Sequence, residues 1–305
     1  MKKNNPIIPL LILFFLYPHS SLLSKQFIIE IGITYPIRFN FSNNNLEPSG
    51  ITINKGRIFF VSDNRENSAI YELVFNEGFC NAQTYLIINH NDIISIEKWH
   101  KLDLEGIVSI HNSFYCIDER DRFIYKINSD GRVEHITHDI HQYNKNKGIS
   151  FSNDANAGFE GIAYDQKKKV FIIANERDDS ILYLLQRHGK RLITHSHISM
   201  TLQTGISDFD ISDICFYDRY LYLIHRKDKK IIKMNPYNKK IDDTLDYSNI
   251  TKGLYSSRKG YGFVEGIWIN SKQILLLLDS NGKKISGKDY GENGILIILK
   301  RPRNF

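Results

Sequence analysis

Phe159-Glu160-Gly161-Ile162-Ala163-Tyr164, then Val170-Phe171-Ile172-Ile173-Ala174-Asn175-Glu176-Arg177, then Ile181-Leu182-Tyr183-Leu184-Leu185, is a set of three apolar runs separated by turn-type residues. The runs are short and rich in β-branched and aromatic residues, which suit a pleated, half-buried surface, so they read as consecutive antiparallel strands. The same set recurs upstream, from Leu46-Glu47-Pro48-Ser49-Gly50-Ile51 to Asp63 and Leu73, and from Leu104-Glu105-Gly106-Ile107 to Glu119 and Ile127. Downstream it recurs from Ile211-Ser212-Asp213-Ile214 to Arg226 and Met234, and from Val264-Glu265-Gly266-Ile267 to Asp279 and Leu299.

With Asp213 counted in place of glycine, successive Gly positions lie 56, 55, 52 and 53 residues apart. Strand and turn at this even spacing, with a fourth strand fitting the remainder of each unit, is the pattern of a propeller blade. The expected fold is all-β: a single β-propeller of five blades, each of about four antiparallel strands. A two-sheet sandwich would explain the strands but not the even period. The strand read at Lys25 to Ile33 is expected to pair with the C-terminal blade ending at Ile295 to Leu299 and so close the ring. His138 to Asn156, polar and rich in Asn and Lys, reads as a loop.

Composition sets the broad class. Of 305 residues, 42% are hydrophobic and 12% aromatic, enough for a large core. The formal charge is +6, but the basic residues are spread along the sequence. The Lys167 to Lys169 and Lys227 to Lys230 runs fall where solvated hairpin turns are expected. No nucleic-acid motif is present. Lys2, Lys3, the apolar stretch Ile7 to Leu16 and Ser20, Ser21 and Ser24 read as an export signal over residues 1–24, with an uncleaved anchor as the alternative. The domain then spans 25–305 and is expected in the periplasm or outside the cell, with no stable membrane span after cleavage. Cys80, Cys116 and Cys215 are odd in number and have no close pairing, so all three read as structural.

The repeat also places its carboxylates. Glu-Gly-Ile opens the first, innermost strand of a unit, and the second strand returns antiparallel to end beside that opening. Glu105 and Glu160 then share a face with Glu119 and Glu176, and Glu265 with Asp279. In the first unit Ser49 takes the Glu position and Asp63 ends the second strand; in the fourth these places fall to Ser212 and His225. Carboxylates gathered at one channel mouth would repel one another unless a cation intervened. Glu105, Glu160, Asp213 and Glu265 are the expected metal ligands, with Asp63, Glu119, Glu176, His225 and Asp279 as a second ring. An all-oxygen set suits Ca²⁺, with Mg²⁺ as the alternative, since zinc would want His or Cys ligands. Arg65, Arg120, Arg177 and Arg226 would either bind an anion or pair with these carboxylates, and a purely structural acidic ring stays open beside the metal reading.

The stretch from Gly158 to Asp165, with Ala174 to Arg177 and Ile181 to Tyr183, resembles the SdiA-regulated family of exported bacterial proteins. Leu46 to Asp63 and Asp103 to Ile127 resemble its first two blades. More loosely, the chain is similar to esterase-like phytase propellers and to the gluconolactonase group. The resemblance implies a five-bladed propeller with a calcium site at the channel and no settled activity. Two functions are expected to compete. One is a calcium-stabilised module binding a small molecule or protein at the mouth. The other is a metal-dependent hydrolase of a phosphoester or lactone, with a carboxylate or His225 as general base. No Gly-x-Ser-x-Gly elbow is present, so a serine esterase has no support.

Overall fold

The computed structural model describes residues 25–28, 32–39, 46–64, 68–88, 102–151, 157–176, 180–255, 262–288 and 291–305. Two strands open the chain, β1 (Lys25–Ile28) and β2 (Gly32–Arg38). The first unit follows as β3 (Pro48–Asn54), β4 (Arg57–Ser62), β5 (Ala69–Asn76) and β6 (Phe79–Ile87). The second is β7 (Leu104–Ile110), β8 (Ser113–Asp118), β9 (Ile124–Asn128) and β10 (Val133–Ile136), leading to helix α1 (Ile140–Lys147). Next come β11 (Phe159–Asp165), β12 (Val170–Asn175), β13 (Ile181–His188) and β14 (Arg191–Ser199), with α2 (Met200–Thr204). Then β15 (Ile211–Tyr217), β16 (Tyr220–His225), β17 (Lys230–Asn235) and β18 (Lys240–Asp246) precede α3 (Ser248–Thr251). The last strands are β19 (Phe263–Ile269), β20 (Gln273–Asp279) and β21 (Ile295–Lys300).

Each unit is an antiparallel meander whose neighbours in sequence are neighbours in the sheet. Tight turns make this possible: Lys55 and Gly56 both have positive φ, the backbone of a two-residue turn that matches the strand twist. The first strands pack side by side, β3 on β7, β7 on β11, β11 on β15, β15 on β19 and β19 back on β3, which closes a ring. Apolar clusters fill the gaps between successive units, for example Ile172, Leu184, Leu223 and Met234 between the third and fourth. Cys116, Cys80 and Cys215 sit within this packing without disulfides. Burial pushes the Cys80 and Cys215 thiols up to about 12, so they stay protonated. The architecture is that of an all-β propeller.

Closure differs in detail from the sequence expectation. β2, not the segment around Phe27, pairs antiparallel with β21, Gly32 opposite Leu299 and Tyr35 opposite Leu296. On its other edge β2 meets β6 in parallel, Ile37 opposite Cys80, so two units share one eight-stranded sheet. β1 instead adds in parallel to β18. A second correction concerns 138–156. Within it Ile140–Lys147 forms α1, ended by left-handed Gly148, because Ile140 and Asn144 are buried on one face while every other turn position is polar. Two buried positions are too few to give a visible helical period. No helix among the described residues is long and apolar enough to cross a membrane.

Candidate functional site at the acidic mouth

All the first strands carry a register break at their start: between Pro48 and Ile51, Leu104 and Gly106, Phe159 and Gly161, Ile211 and Ile214, and Val264 and Gly266. A bulge inserts an unpaired residue and re-aims its side chain. Here the extra residue is Glu105, Glu160 or Glu265, and the bulge turns its carboxylate toward the channel mouth. The following glycine is needed because the next first strand lies against it. A Cβ on Gly161 would sit 2.8 Å from the backbone nitrogen of Ile214, and one on Gly50 2.6 Å from the carbonyl oxygen of Glu105.

The second strands deliver the next ring. The amide nitrogens of Asp63, Glu119, Glu176 and Arg226 donate to the carbonyls of Glu47, Asp103, Gly158 and Asp210. These four residues therefore hold equivalent positions, and Asp279, opposite Phe263, is the fifth. In the fourth unit the acidic place is occupied by Arg226. His225, expected there, is one residue short of that register. Its buried ring lies flat on Phe209, with centroids 4.3 Å apart, and it does not line the mouth.

Glu47, Asp63, Asp103, Glu105, Glu119, Glu160, Glu176, Glu265 and Asp279 line one cavity of about 530 Å³ at the mouth, with Arg226 as the only cation of the described lining. Each of Asp103, Glu105 and Glu119 offers an oxygen within 4.8 Å of the others, and so do Glu119, Glu160 and Glu176. These two groups could hold a metal ion. Their donors are all oxygens, and Asp63 adds a buried Oδ1 with no hydrogen-bond partner, so the set fits a hard divalent cation. The Ser49 hydroxyl donates to Glu105 Oε2 at 2.6 Å and fixes that carboxylate.

Electrostatics divides the mouth in two. On one side Arg226 binds both oxygens of Glu265 at 3.0 and 2.9 Å, Asp210 at 2.9 Å, and Glu176. Burial opposes its charge, but Glu265, Glu160 and Asp210 outweigh that and hold the guanidinium protonated. On the other side nothing among the described lining residues plays this part. Burial pushes the Asp63 carboxyl up to about 11, with Glu105, Glu47 and Asp279 adding to it. Burial likewise raises Asp279 to about 7, helped by Glu265 and Glu47 against the opposing amide of Asn281. Glu105 and Glu160 are raised well above the usual carboxylate range, first by burial. Ser49 partly offsets this at Glu105, and Glu176 reinforces it at Glu160.

Of the expected ligands, Glu105, Glu160 and Glu265 reach the mouth, as do Asp63, Glu119, Glu176 and Asp279. Asp213 does not. Its buried carboxylate accepts the amides of Ile214 and Ile267 at 2.8 Å, and that of Ile51, tying three first strands together across the channel. Arg120 stands outside the cavity, 39% exposed and 4.0 Å from Asp103. Arg65 and Arg177, like residues 1–24, lie outside the described residues. Asp103 and Glu47 were not expected. Each directly precedes its unit's first strand, and its carbonyl accepts the amide of Glu119 or Asp63, which sets it beside the second-strand ring.

Among solved structures, the glutaminyl cyclase of Myxococcus xanthus is similar over 91% of this chain and 98% of its own, at 10% identity and a TM-score of 0.58. A gluconolactonase of Xanthomonas campestris aligns over 83% of this chain and 72% of its own, at 8% identity and a TM-score of 0.48. At 10% identity the likeness to the glutaminyl cyclase is one of fold alone. No curated protein sequence matches significantly. The sequence profile of the SdiA-regulated family matches residues 89–278, a span covering four complete Glu-Gly or Ser-Asp bulges and most of the cavity's carboxylates. The chain belongs to the SdiA-regulated family.

Proposed function

We propose that this chain is an exported, calcium-binding propeller of five blades, one domain over residues 25–305, that uses the acidic mouth to bind a small-molecule or protein ligand. The closed ring of first strands supports the count of five, and the charge pattern of residues 1–24 supports export. The observation that carries the metal reading is the imbalance of the cavity, where nine carboxyl groups face one guanidinium that Glu176, Glu265 and Asp210 already engage. Asp103, Glu105, Glu119 and Glu160 would hold the ion, with Asp63 and Asp279 within the same wall. Bound there, Ca²⁺ would neutralise the mouth and present open positions to oxygen ligands; Mg²⁺ would demand stricter octahedral geometry.

The second reading, a metal-dependent hydrolase of a phosphoester or lactone, rests on Asp279. Its carboxyl, raised to about 7, is suited to proton transfer near neutral pH. A phosphoester would also want free cations, and the described lining offers only the engaged Arg226. That favours binding over phosphoester hydrolysis. Calorimetric titration of Ca²⁺ into the EDTA-treated protein tests the metal, with saturable binding expected. A panel of phosphoesters and lactones, with and without metal, tests the enzyme; turnover abolished by Asp279→Asn would favour hydrolysis instead.

A further inference from the structure

Charges that are scattered in the sequence are gathered in space. Every first strand starts at the acidic mouth and strands alternate in direction, so the turns that join first to second and third to fourth strands lie at the opposite end, while those between second and third strands lie at the mouth. The turns 55–56, 111–112, 166–169, 218–219 and 270–273 surround the channel exit, and 77–78, 189–190 and 236–239 lie further out. Segments 55–57, 77–78, 111–112, 130–132, 167–169, 189–191, 218–219, 238–240, 271–272 and 300–303 hold fifteen Lys or Arg and three Asp or Glu, a surplus of twelve in a chain of net charge +6. Pairs engage some of them, such as Arg57 with Glu72 and Arg132 with Asp130. The loops 167–169 and 189–191 carry five cations and no acid, all exposed.

Apolar groups accompany them. Phe75 is 44% exposed beside the 77–78 turn and Ile193 37% beside 189–191. Tyr164, Phe216 and Trp268 line the channel at this end. A broad end face with basic loops, exposed apolar side chains and aromatic rings fits an anionic lipid surface, where cations meet headgroups and rings sit at the interface. Nucleic acid would rather be met by a basic stripe or groove with stacking platforms.

We infer that the basic end of the propeller docks on an anionic membrane surface, leaving the acidic mouth facing away from it. Electrostatics orients the molecule: the lipid charge attracts one end and repels the other. The test is sedimentation of the full chain with vesicles of phosphatidylcholine alone or with roughly a third phosphatidylglycerol, at about 0.05 M and about 0.5 M salt. Partition onto anionic vesicles is expected to exceed that onto neutral ones by at least about tenfold at low salt, and to collapse at high salt. The variant Lys167→Glu, Lys168→Glu, Lys169→Glu and a second one, Lys190→Glu, Arg191→Glu, should each lose most of the difference. Both change exposed turns, so their melting temperatures should stay near the parent's. Lys227→Glu with Lys252→Glu, exposed at the acidic end, should partition as the parent does. Equal partition onto both vesicle types, equal losses in the acidic-end control, or tighter binding to a short DNA duplex at the same salt would each overturn the proposal.

Discussion

Arg226 shows how much a single side chain decides in this mouth. It holds the register position that Asp63, Glu119, Glu176 and Asp279 hold in the other units, and it converts a ring of carboxylates into a ring with one fixed cation. Removing it would leave Glu176, Glu265 and Asp210 facing one another without the one cation of the described lining. Arg226→Met should therefore cost about 3–5 kcal/mol in urea unfolding at pH 7.5, where breaking a buried pair strands its partners. Much of the loss should be recovered near pH 5, as those carboxyls take up protons. Glu105→Gln is expected to do the opposite in EDTA. It removes a buried charge crowded by Glu119 and Asp103, so the metal-free protein should gain about 1 kcal/mol while Ca²⁺ affinity drops at least about tenfold. The sequence made Glu105 and Glu160 legible because Glu-Gly is rare enough to be noticed when repeated. It named Arg226 as a partner for the carboxylates, as observed, but gave its ring position to His225, because a one-residue choice at a strand's end cannot be made without the ladder. It hid Asp103 and Glu47 because a lone acid before a strand looks like any turn residue.

At the scale of the element, the bulged first strand is the working part. The bulge aims the Glu, and the glycine lets the neighbouring strand close in. Gly161→Val should destabilise the protein by about 2–4 kcal/mol, since its Cβ would meet backbone, which cannot rotate away. Gly189→Ala, in a left-handed turn with open space around it, should cost only about 1 kcal/mol. Urea unfolding of both variants checks the contrast; similar losses would mean that close packing of first strands is not what the repeated glycine serves. The strand order of each unit could be read from three apolar runs and their turns. The parallel additions of β1 to β18 and of β2 to β6 could not, because both pair residues far apart in sequence and carry no local turn signal.

Over the whole molecule, the propeller topology turns local sequence into two charged ends. Lysines and arginines from the first-to-second and third-to-fourth strand turns of different units come together at one end because every unit repeats the same strand directions, so a reading of charge along the sequence finds only solvated turns. At the other end the raised carboxyls set the pH response. Asp63, Asp279, Asp118, Glu105, Glu160 and Glu265 all have folded-state pKa values above those of the unfolded chain. The folded state then binds more protons, so stability is full below about pH 4 as far as these groups go. It is lost as pH rises through Asp118 near 6, Asp279 near 7 and on toward Asp63 near 11. In EDTA, unfolding free energy should decline by at least about 4 kcal/mol between pH 5 and 9, the share of Asp118 and Asp279 at about 1.4 kcal/mol per pH unit, and a bound cation should flatten that slope.

The central claim is that the mouth's surplus of carboxylates is balanced by a bound hard cation. Thermal melting at pH 8 in EDTA, then in Ca²⁺ excess, tests it most directly, with the double variant Glu105→Gln, Glu119→Gln alongside. The parent should gain at least about 5 °C on adding Ca²⁺, and the double variant should melt higher than the parent in EDTA yet gain nothing from the ion. A parent whose melting temperature is the same in EDTA and in Ca²⁺, or a double variant that responds to Ca²⁺ as the parent does, would contradict it.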